Sequence, residues 1–139
     1  MNETNNKEDQ ESNPFEDAEV IFQYTRKQAI EDGVLVDVSE MAREAGIRYP
    51  VAVTARVWSE VIVPSDQARK EGQSEAGRLW DVLWMLRTAI QASRTRGEVI
   101  RYGVLVRDGR QAREVELKAM CGPGDKGEPV VTIMYPEED

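Results

Sequence analysis

The chain of 139 residues has no histidine, and Cys121 is its only cysteine. Histidine is the usual general base near neutral pH and the commonest protein ligand for transition metals. Its absence excludes a Ser-His-Asp triad, a Cys-His dyad and a His-based zinc site. One cysteine allows neither an intrachain disulfide nor a cysteine-rich zinc site. Carboxylate, lysine, tyrosine and hydroxyl chemistry remain, but no catalytic motif stands out among them, and no cofactor is expected. No apolar run is long enough to span a membrane. The first residues are polar and acidic, where a secretory signal would be basic and then apolar. An unpaired thiol fits a reducing compartment. Together these absences suggest a cytoplasmic protein with one domain of ordinary size and no membrane partner.

The charge that is present is unevenly spread. The net charge is −8, yet residues 1–19 carry seven acids against Lys7 alone, and Glu137, Glu138 and Asp139 add three more. The tails therefore hold −9, and residues 20–136 hold +1. Within that span, residues 87–118 have seven arginines and Lys118 against Glu98, Asp108, Glu114 and Glu116. One interpretation is solubilising tails and arginines on solvated faces. The other is an Arg-rich surface for an anionic partner, with the acidic N-terminal tail competing for it.

Residues 1–18 are rich in Asn, Glu, Asp and Ser, with Phe15 the one aromatic. They bury too little to offset their ordering entropy and are expected to be a disordered acidic tail. A single domain is expected over residues 19–136, followed by the acidic end at 137–139. Val20-Ile21-Phe22 is a possible added N-terminal strand. Thr25 caps a short helix over residues 26–32 that Gly33 ends. Residues 34–38 are extended. Ser39 caps a second short helix over 40–45, which Gly46 ends. Pro50 opens a third helix, closed by Pro64, because Val53, Val57, Trp58, Val61 and Ile62 recur at three- and four-residue spacings. The β-branched run from 51 to 63 would also tolerate a strand. Residues 65–73 form a polar connection.

A long central helix follows from 74 to about 93, with Leu79, Val82, Leu83, Leu86 and Ile90 on one face. Residues 94–98 turn into an antiparallel meander: strand 99–107, turn Asp108-Gly109, strand 110–121 and, after a Gly-rich loop, strand 130–135. If Arg107 faces Arg110, then Tyr102 faces Val115, Ile100 faces Leu117 and Arg101 faces Glu116. That places two apolar pairs on one face and an ion pair on the other. The fold class is α+β: short helices and one long helix packed on a C-terminal three-stranded antiparallel meander.

The long helix carries more than its core stripe. Trp80 and Trp84 lie four residues apart, about 100° round the helix from Leu79 and Leu83, and Arg87 and Gln91 continue their line. Tryptophan and arginine are enriched at interaction hot spots, so these four residues form a candidate interaction stripe. The alternative is that the helix is covered on this side as well, with Trp58 as a packing partner, because two tryptophans are much apolar area to leave in water. Arg94, Arg96, Arg101, Arg107, Arg110 and Arg113 gather around the hairpin as a candidate anion-binding group. Tyr102 could add stacking, but strand alternation puts it on the core face, away from Arg101 and Arg107.

Other candidates are weaker in pattern. In the loop Gly122-Pro123-Gly124-Asp125-Lys126-Gly127-Glu128-Pro129, glycine N–H groups could face an anion, or Asp125 and Glu128 a hard cation. It matches neither a Walker loop nor a twelve-residue calcium loop, and a structural turn explains it. Asp37, Glu40 and Glu44 are possible general acids or bases, with nothing to mark a cleft. Cys121, with no histidine to activate it, is expected to be a small core residue.

The strings YTRKQAIEDGVLVDVSEMAREAGIRYPVAVT (24–54), GRLWDVLWM (77–85) and CGPGDKGEPVVTIMYPEED (121–139) resemble an uncharacterised bacterial domain family whose members occur on plasmids, phages and integrated mobile elements. The resemblance spans residues 20–139. It implies a small cytoplasmic bacterial protein travelling with mobile DNA, and carries over no activity or site residues. Three functions follow in order of support. The first is a non-enzymatic binding protein acting through an unidentified protein partner. The second is nucleic-acid binding through the Arg-rich hairpin. The third is a small hydrolase or metal-dependent enzyme using carboxylates such as Asp37, Glu40 or Asp125.

Overall fold

A computed structural model describes residues 24–93 and 97–138 of the chain. The expected strand at Val20-Ile21-Phe22, the expected disorder of residues 1–18 and the turn at Arg94 to Arg96 lie outside these residues. Helix α1 (Arg26–Glu31) starts as its sequence demands. Thr25 Oγ1 accepts from the Gln28 N–H at 3.0 Å, and Gln28 Oε1 accepts from the Thr25 N–H at 3.0 Å, a reciprocal cap that satisfies two exposed donors. Gly33 follows at φ 79°, a left-handed position that glycine takes without steric cost.

Strand β1 (Leu35–Asp37) leads into α2 (Ser39–Glu44). Ser39 is not the cap that was expected, but the first helical residue. The Asp37 carboxylate accepts from its backbone N–H at 2.9 Å and its hydroxyl at 2.6 Å. The Ser39 Oγ in turn accepts from the Val51 N–H at 2.9 Å, tying α2 to the next strand.

The third expected helix is only half present. Strand β2 (Val51–Thr54) occupies its first turn, and only then do α3 (Ala55–Val57) and a π-helical turn (Trp58–Ile62) follow. Val51, Ala52 and Val53 are all fully buried, so both faces of β2 are covered. A strand in that setting is continuously apolar and has no alternation to distinguish it from a buried helix. The helical spacing holds from Val57 onward, where Val57, Val61 and Ile62 are buried. The expected polar connection contains a further helix, α4 (Asp66–Lys70), capped by Ser65 Oγ on the Ala68 N–H at 3.1 Å. Its one buried side chain, Ala68, is too little apolar signal to mark it in the sequence.

Helix α5 (Glu75–Ala92) matches the long helix, capped by Ser74 on the Gly77 N–H. Strands β3 (Val99–Asp108), β4 (Gln111–Pro123) and β5 (Pro129–Met134) form the meander. The sheet has five strands, not three, in the order β1-β2-β5-β4-β3. Strand β2 pairs parallel to β5, with Val51 opposite Val131, and β1 pairs antiparallel to β2. The fold is thus α+β with the meander as one part of a mixed sheet.

The hairpin register differs from expectation by two residues. Arg107 faces Ala112 and Asp108 faces Gln111, so the turn is Gly109-Arg110, with Gly109 at φ 67°. Tyr102 faces Leu117, Ile100 faces Ala119 and Arg101 faces Lys118. A two-residue slip keeps every side chain on its face, so Tyr102, Val104, Val106, Val115, Leu117 and Ala119 are all buried. Asp108 stays in the strand because its carboxylate is gripped from two sides, by Arg78 Nη2 at 3.0 Å and Arg113 Nε at 3.0 Å.

The main core lies between one face of the sheet and α5, where Leu83, Leu86, Leu117 and Ile133 are fully buried. Arg78 is the buried cation of this layer. It donates to the carbonyl oxygens of Val61 and Arg107 and to Asp108, pinning α5 to the π turn and the hairpin. On the opposite face Arg26 lies along β5, donating to Thr132 Oγ1 at 2.8 Å and the Val131 carbonyl at 2.9 Å.

Candidate interaction surface

Helix α5 places the four stripe residues on the side away from the sheet. At 3.6 residues per turn, Trp80, Trp84, Arg87 and Gln91 fall within about 60° of one another, centred about 120° round the helix from Leu79, Val82, Leu83 and Leu86. Trp80 is 36% exposed and Trp84 42% exposed. They do not pack on Trp58, which sits partly buried against the core. Instead they stack on each other, with ring centroids 5.7 Å apart and planes 18° from parallel. The Arg87 guanidinium caps the stack, 4.7 Å from the Trp84 ring centre. Such stacking and cation–π contacts hold large side chains in one arrangement, which lowers the entropy cost of a later contact.

The surface extends to residues the sequence did not single out. Ile90, assigned by spacing to the core face, is 41% exposed. Tyr49, in the loop after α2, is 50% exposed. Gly46, Arg48, Tyr49, Arg87, Ile90 and Gln91 line a groove of about 430 Å³. It adjoins an apolar pocket of about 360 Å³ between the end of α5 and the sheet, walled by Tyr49, Leu86, Ile90, Ile100, Ala119 and Val131. Gly46 is needed there twice over. It ends α2 at φ 95°, and a Cβ on it would lie 2.8 Å from Arg87 Nε. Among the described residues neither Arg48 nor Arg87 has a carboxylate partner. Tyr49 and Arg48 come from a loop distant in sequence from α5, so no local pattern links them to the stripe.

The arginine group around the hairpin is arranged differently. Arg113 is spent on Asp108 and on the Glu60 carbonyl, at 3.0 and 3.2 Å. Arg101 lies 3.9 Å from Glu116. Arg107 and Arg110 have no carboxylate partner among the described residues, but the Glu71 carboxylate stands 3.8 Å from the position of a Cβ on Gly109 beside them. Tyr102 is buried on the core side, so it cannot stack on a base from this surface. Arg94 and Arg96 lie outside the described residues.

The remaining candidates have structural roles. Asp125 reaches back to the start of α1, accepting from the Arg26 and Lys27 N–H groups at 2.8 and 3.0 Å. Those two bonds hold its carboxyl below the usual aspartate range. The Gly-rich loop is therefore a clamp on a helix end. Asp37 secures Ser39, and Glu40 and Glu44 are exposed. Among the described residues no group of three acidic or cysteine side chains could hold a metal ion. Cys121 is exposed, not a core residue: it lies near the end of β4 on the same face as Leu117 and Ala119 and borders the pocket at the end of α5. No helix among the described residues is long and apolar enough to cross a membrane.

Comparison with known proteins then places the chain. It belongs to DUF6573, a family of unknown function, matched over residues 11–139. No curated protein and no solved structure matches it. The DUF6573 match begins ahead of the first described residue, so part of the N-terminal segment belongs to the family's domain.

Proposed function

We propose that this DUF6573 protein is a non-enzymatic binding protein whose contact face is Trp80, Trp84, Arg87 and Gln91 of α5, extended by Tyr49 and Ile90. The observation that carries this reading is the stacked, solvent-facing tryptophan pair capped by an arginine. A helix needs its inward aliphatic face to fold, but it does not need two ordered tryptophans on the outside. Exposed aromatic area of this kind is what an interface core is made from. The family resemblance to proteins of mobile elements favours a host protein as the partner. The experiment is affinity capture from a lysate of the host cell, comparing the wild-type chain with a Trp80→Ala/Trp84→Ala variant of unchanged circular dichroism. A partner held by the first and lost by the second is expected. A partner held equally by both overturns the reading.

Nucleic-acid binding is a second reading, favoured by the unpaired Arg107 and Arg110. It requires affinity for labelled DNA or RNA that falls steeply with salt. Anisotropy measured at two salt concentrations, with and without Arg107→Gln/Arg110→Gln, decides it. Salt-independent binding, or none, removes it.

A further inference from the structure

The sheet has two edges of very different length. Strand β1 has three residues, whereas β3 has ten. The β3 register with β4 runs unbroken from Val99 to Asp108, with no proline and no bulge. Proteins usually shorten, bend, charge or cover an edge strand, because its unpaired backbone is a template for another strand. Leu105, on the outer face of this edge, is 68% exposed, the highest value of any large apolar side chain among the described residues.

The two-residue turn decides which backbone groups are free. Asp108 and Gln111 close the turn and bond to each other, and bonding pairs then alternate along the ladder. Residues 100, 102, 104 and 106 therefore direct their N–H and C=O groups toward β4. The Cys121 N–H donates to the Glu98 carbonyl at 2.7 Å, which continues the same alternation. Val99, Arg101, Gly103, Leu105 and Arg107 direct theirs outward. Arg78 closes the last of these positions by donating to the Arg107 carbonyl at 2.9 Å. Among the described residues nothing else bonds to this edge. The open run is Val99 to Leu105, with four outward residues. One antiparallel register pairs all four with their copies in a second chain. It sets Val99 opposite Leu105 and Arg101 opposite Gly103, about a two-fold axis at Tyr102.

The side chains fit the same register. The exposed Val99 and Leu105 face each other twice. Arg101 is the only charged residue in the open run. Gly103 leaves a notch of about 310 Å³ beside Arg101, Glu114 and Glu116. On β4, Glu116 lies across from Gly103 and Glu114 across from Leu105. The Glu114 carboxylate leans over the glycine, with Oε2 2.6 Å from where a Cβ would lie. Arg101 of a second copy, arriving opposite Gly103, therefore meets two carboxylates. Its contact with its own Glu116, 3.9 Å between two exposed groups, is weak enough to exchange. We infer that β3 is a self-association edge, on which a second copy of this chain pairs antiparallel from Val99 to Leu105 and joins the two five-stranded sheets into one. The tryptophan stripe stays free in such a dimer. Arg78 marks the side of α5 that reaches this edge, and Trp80 and Trp84 lie about 160° and 120° round the helix from it. The dimer then presents the proposed contact face twice, and capture of a partner stays with α5.

Sedimentation velocity of the full-length chain over a concentration series tests this. Wild type is expected to be largely dimeric at about 100 µM. Leu105→Pro removes an outward N–H and no bond to β4, and should weaken the dimer at least tenfold. Arg101→Glu and Glu114→Lys/Glu116→Lys should each weaken it about tenfold, because every charge pair occurs twice across the axis. An equimolar mixture of those two variants should restore the dimer, since each site in the mixed pair is again opposite in charge to its mate. General loosening of the fold would not produce that rescue. A wild-type chain that stays monomeric at about 100 µM overturns the inference. So does a dimer that Leu105→Pro leaves intact, or a mixture no more associated than its components. Failure here leaves the proposed function standing, because partner capture is read on α5.

Discussion

The outer face of α5 and the β3–β4 hairpin are both rich in residues that binding surfaces use, but they are finished in opposite ways. On α5 the aromatic area is left toward solvent and held in order by stacking, and the nearby cations Arg48 and Arg87 have no carboxylate among the described residues. In the hairpin Arg101 and Arg113 are engaged, while Arg107 and Arg110 have no carboxylate partner among the described residues. Asp108 binds Arg78 and Arg113, Arg113 also binds the Glu60 carbonyl, and Glu116 lies near Arg101. Composition alone makes the hairpin the more conspicuous of the two. The aromatic area reverses the order: Trp80 and Trp84 are stacked and partly exposed on α5, whereas Tyr102 of the hairpin is buried.

The largest effects should come from what lies beneath the two surfaces. Leu86 is fully buried below the stripe, and Leu86→Ala is expected to destabilise the fold by about 2–5 kcal/mol. Trp84→Ala, two residues earlier and on the outer face, should cost only about 1 kcal/mol, the value of its ring contacts. Urea denaturation of both variants measures the contrast, and equal losses would mean that the tryptophan is a core residue after all. Under the hairpin, Arg78→Leu should cost about 2–4 kcal/mol, because the Val61 and Arg107 carbonyls lose a buried donor.

Acid should act on the hairpin and on the α1 clamp before it acts on the stripe. The Arg113 and Arg78 contacts hold the Asp108 carboxyl below its ordinary value of 3.8, and the α1 N–H groups do the same for Asp125. Depressed acids contribute stability that is complete above 3.8 and is lost as pH falls below it through the folded-state values. Asp108→Asn and Asp125→Asn should each flatten that acid limb in a thermal-melt series against pH. A limb unchanged in both variants would show that these contacts do not form in solution. The smallest effect belongs to the exposed hairpin arginines. Arg107→Gln/Arg110→Gln should change stability by no more than about 0.5 kcal/mol and leave partner capture intact.

How much of this could be read from the sequence depended on whether a feature is local. The cap at Thr25 and Gln28, the glycine stop at Gly33, the long helix from Ser74 and the faces of the hairpin are all encoded within a few residues of where they act. Strand β2 was missed because burial on both faces removes the alternation that identifies a strand. The joining of β2 to β5 depends on a parallel pairing of Val51 with Val131, which leaves no nearby pattern. The hairpin register slipped because Asp108-Gly109 matches a turn signal, while Arg78, thirty residues earlier, holds Asp108 in the strand. Of the proposed contact face, three- and four-residue spacings single out Trp80, Trp84, Arg87 and Gln91. Their exposure could not be read, since an outward tryptophan and one covered by another element have the same periodicity. Tyr49 and Arg48 gave no signal, because only the folded chain brings their loop beside α5.

The central claim is that the α5 tryptophan face, and not the arginine hairpin, is the surface this protein uses. The most direct measurement is side-by-side capture from a host-cell lysate with the wild-type chain, the Trp80→Ala/Trp84→Ala variant and the Arg107→Gln/Arg110→Gln variant, at matched stability and concentration. A partner retained by the wild type and the hairpin variant but lost by the tryptophan variant is the predicted result. A partner lost with the hairpin arginines and kept without the tryptophans would contradict it.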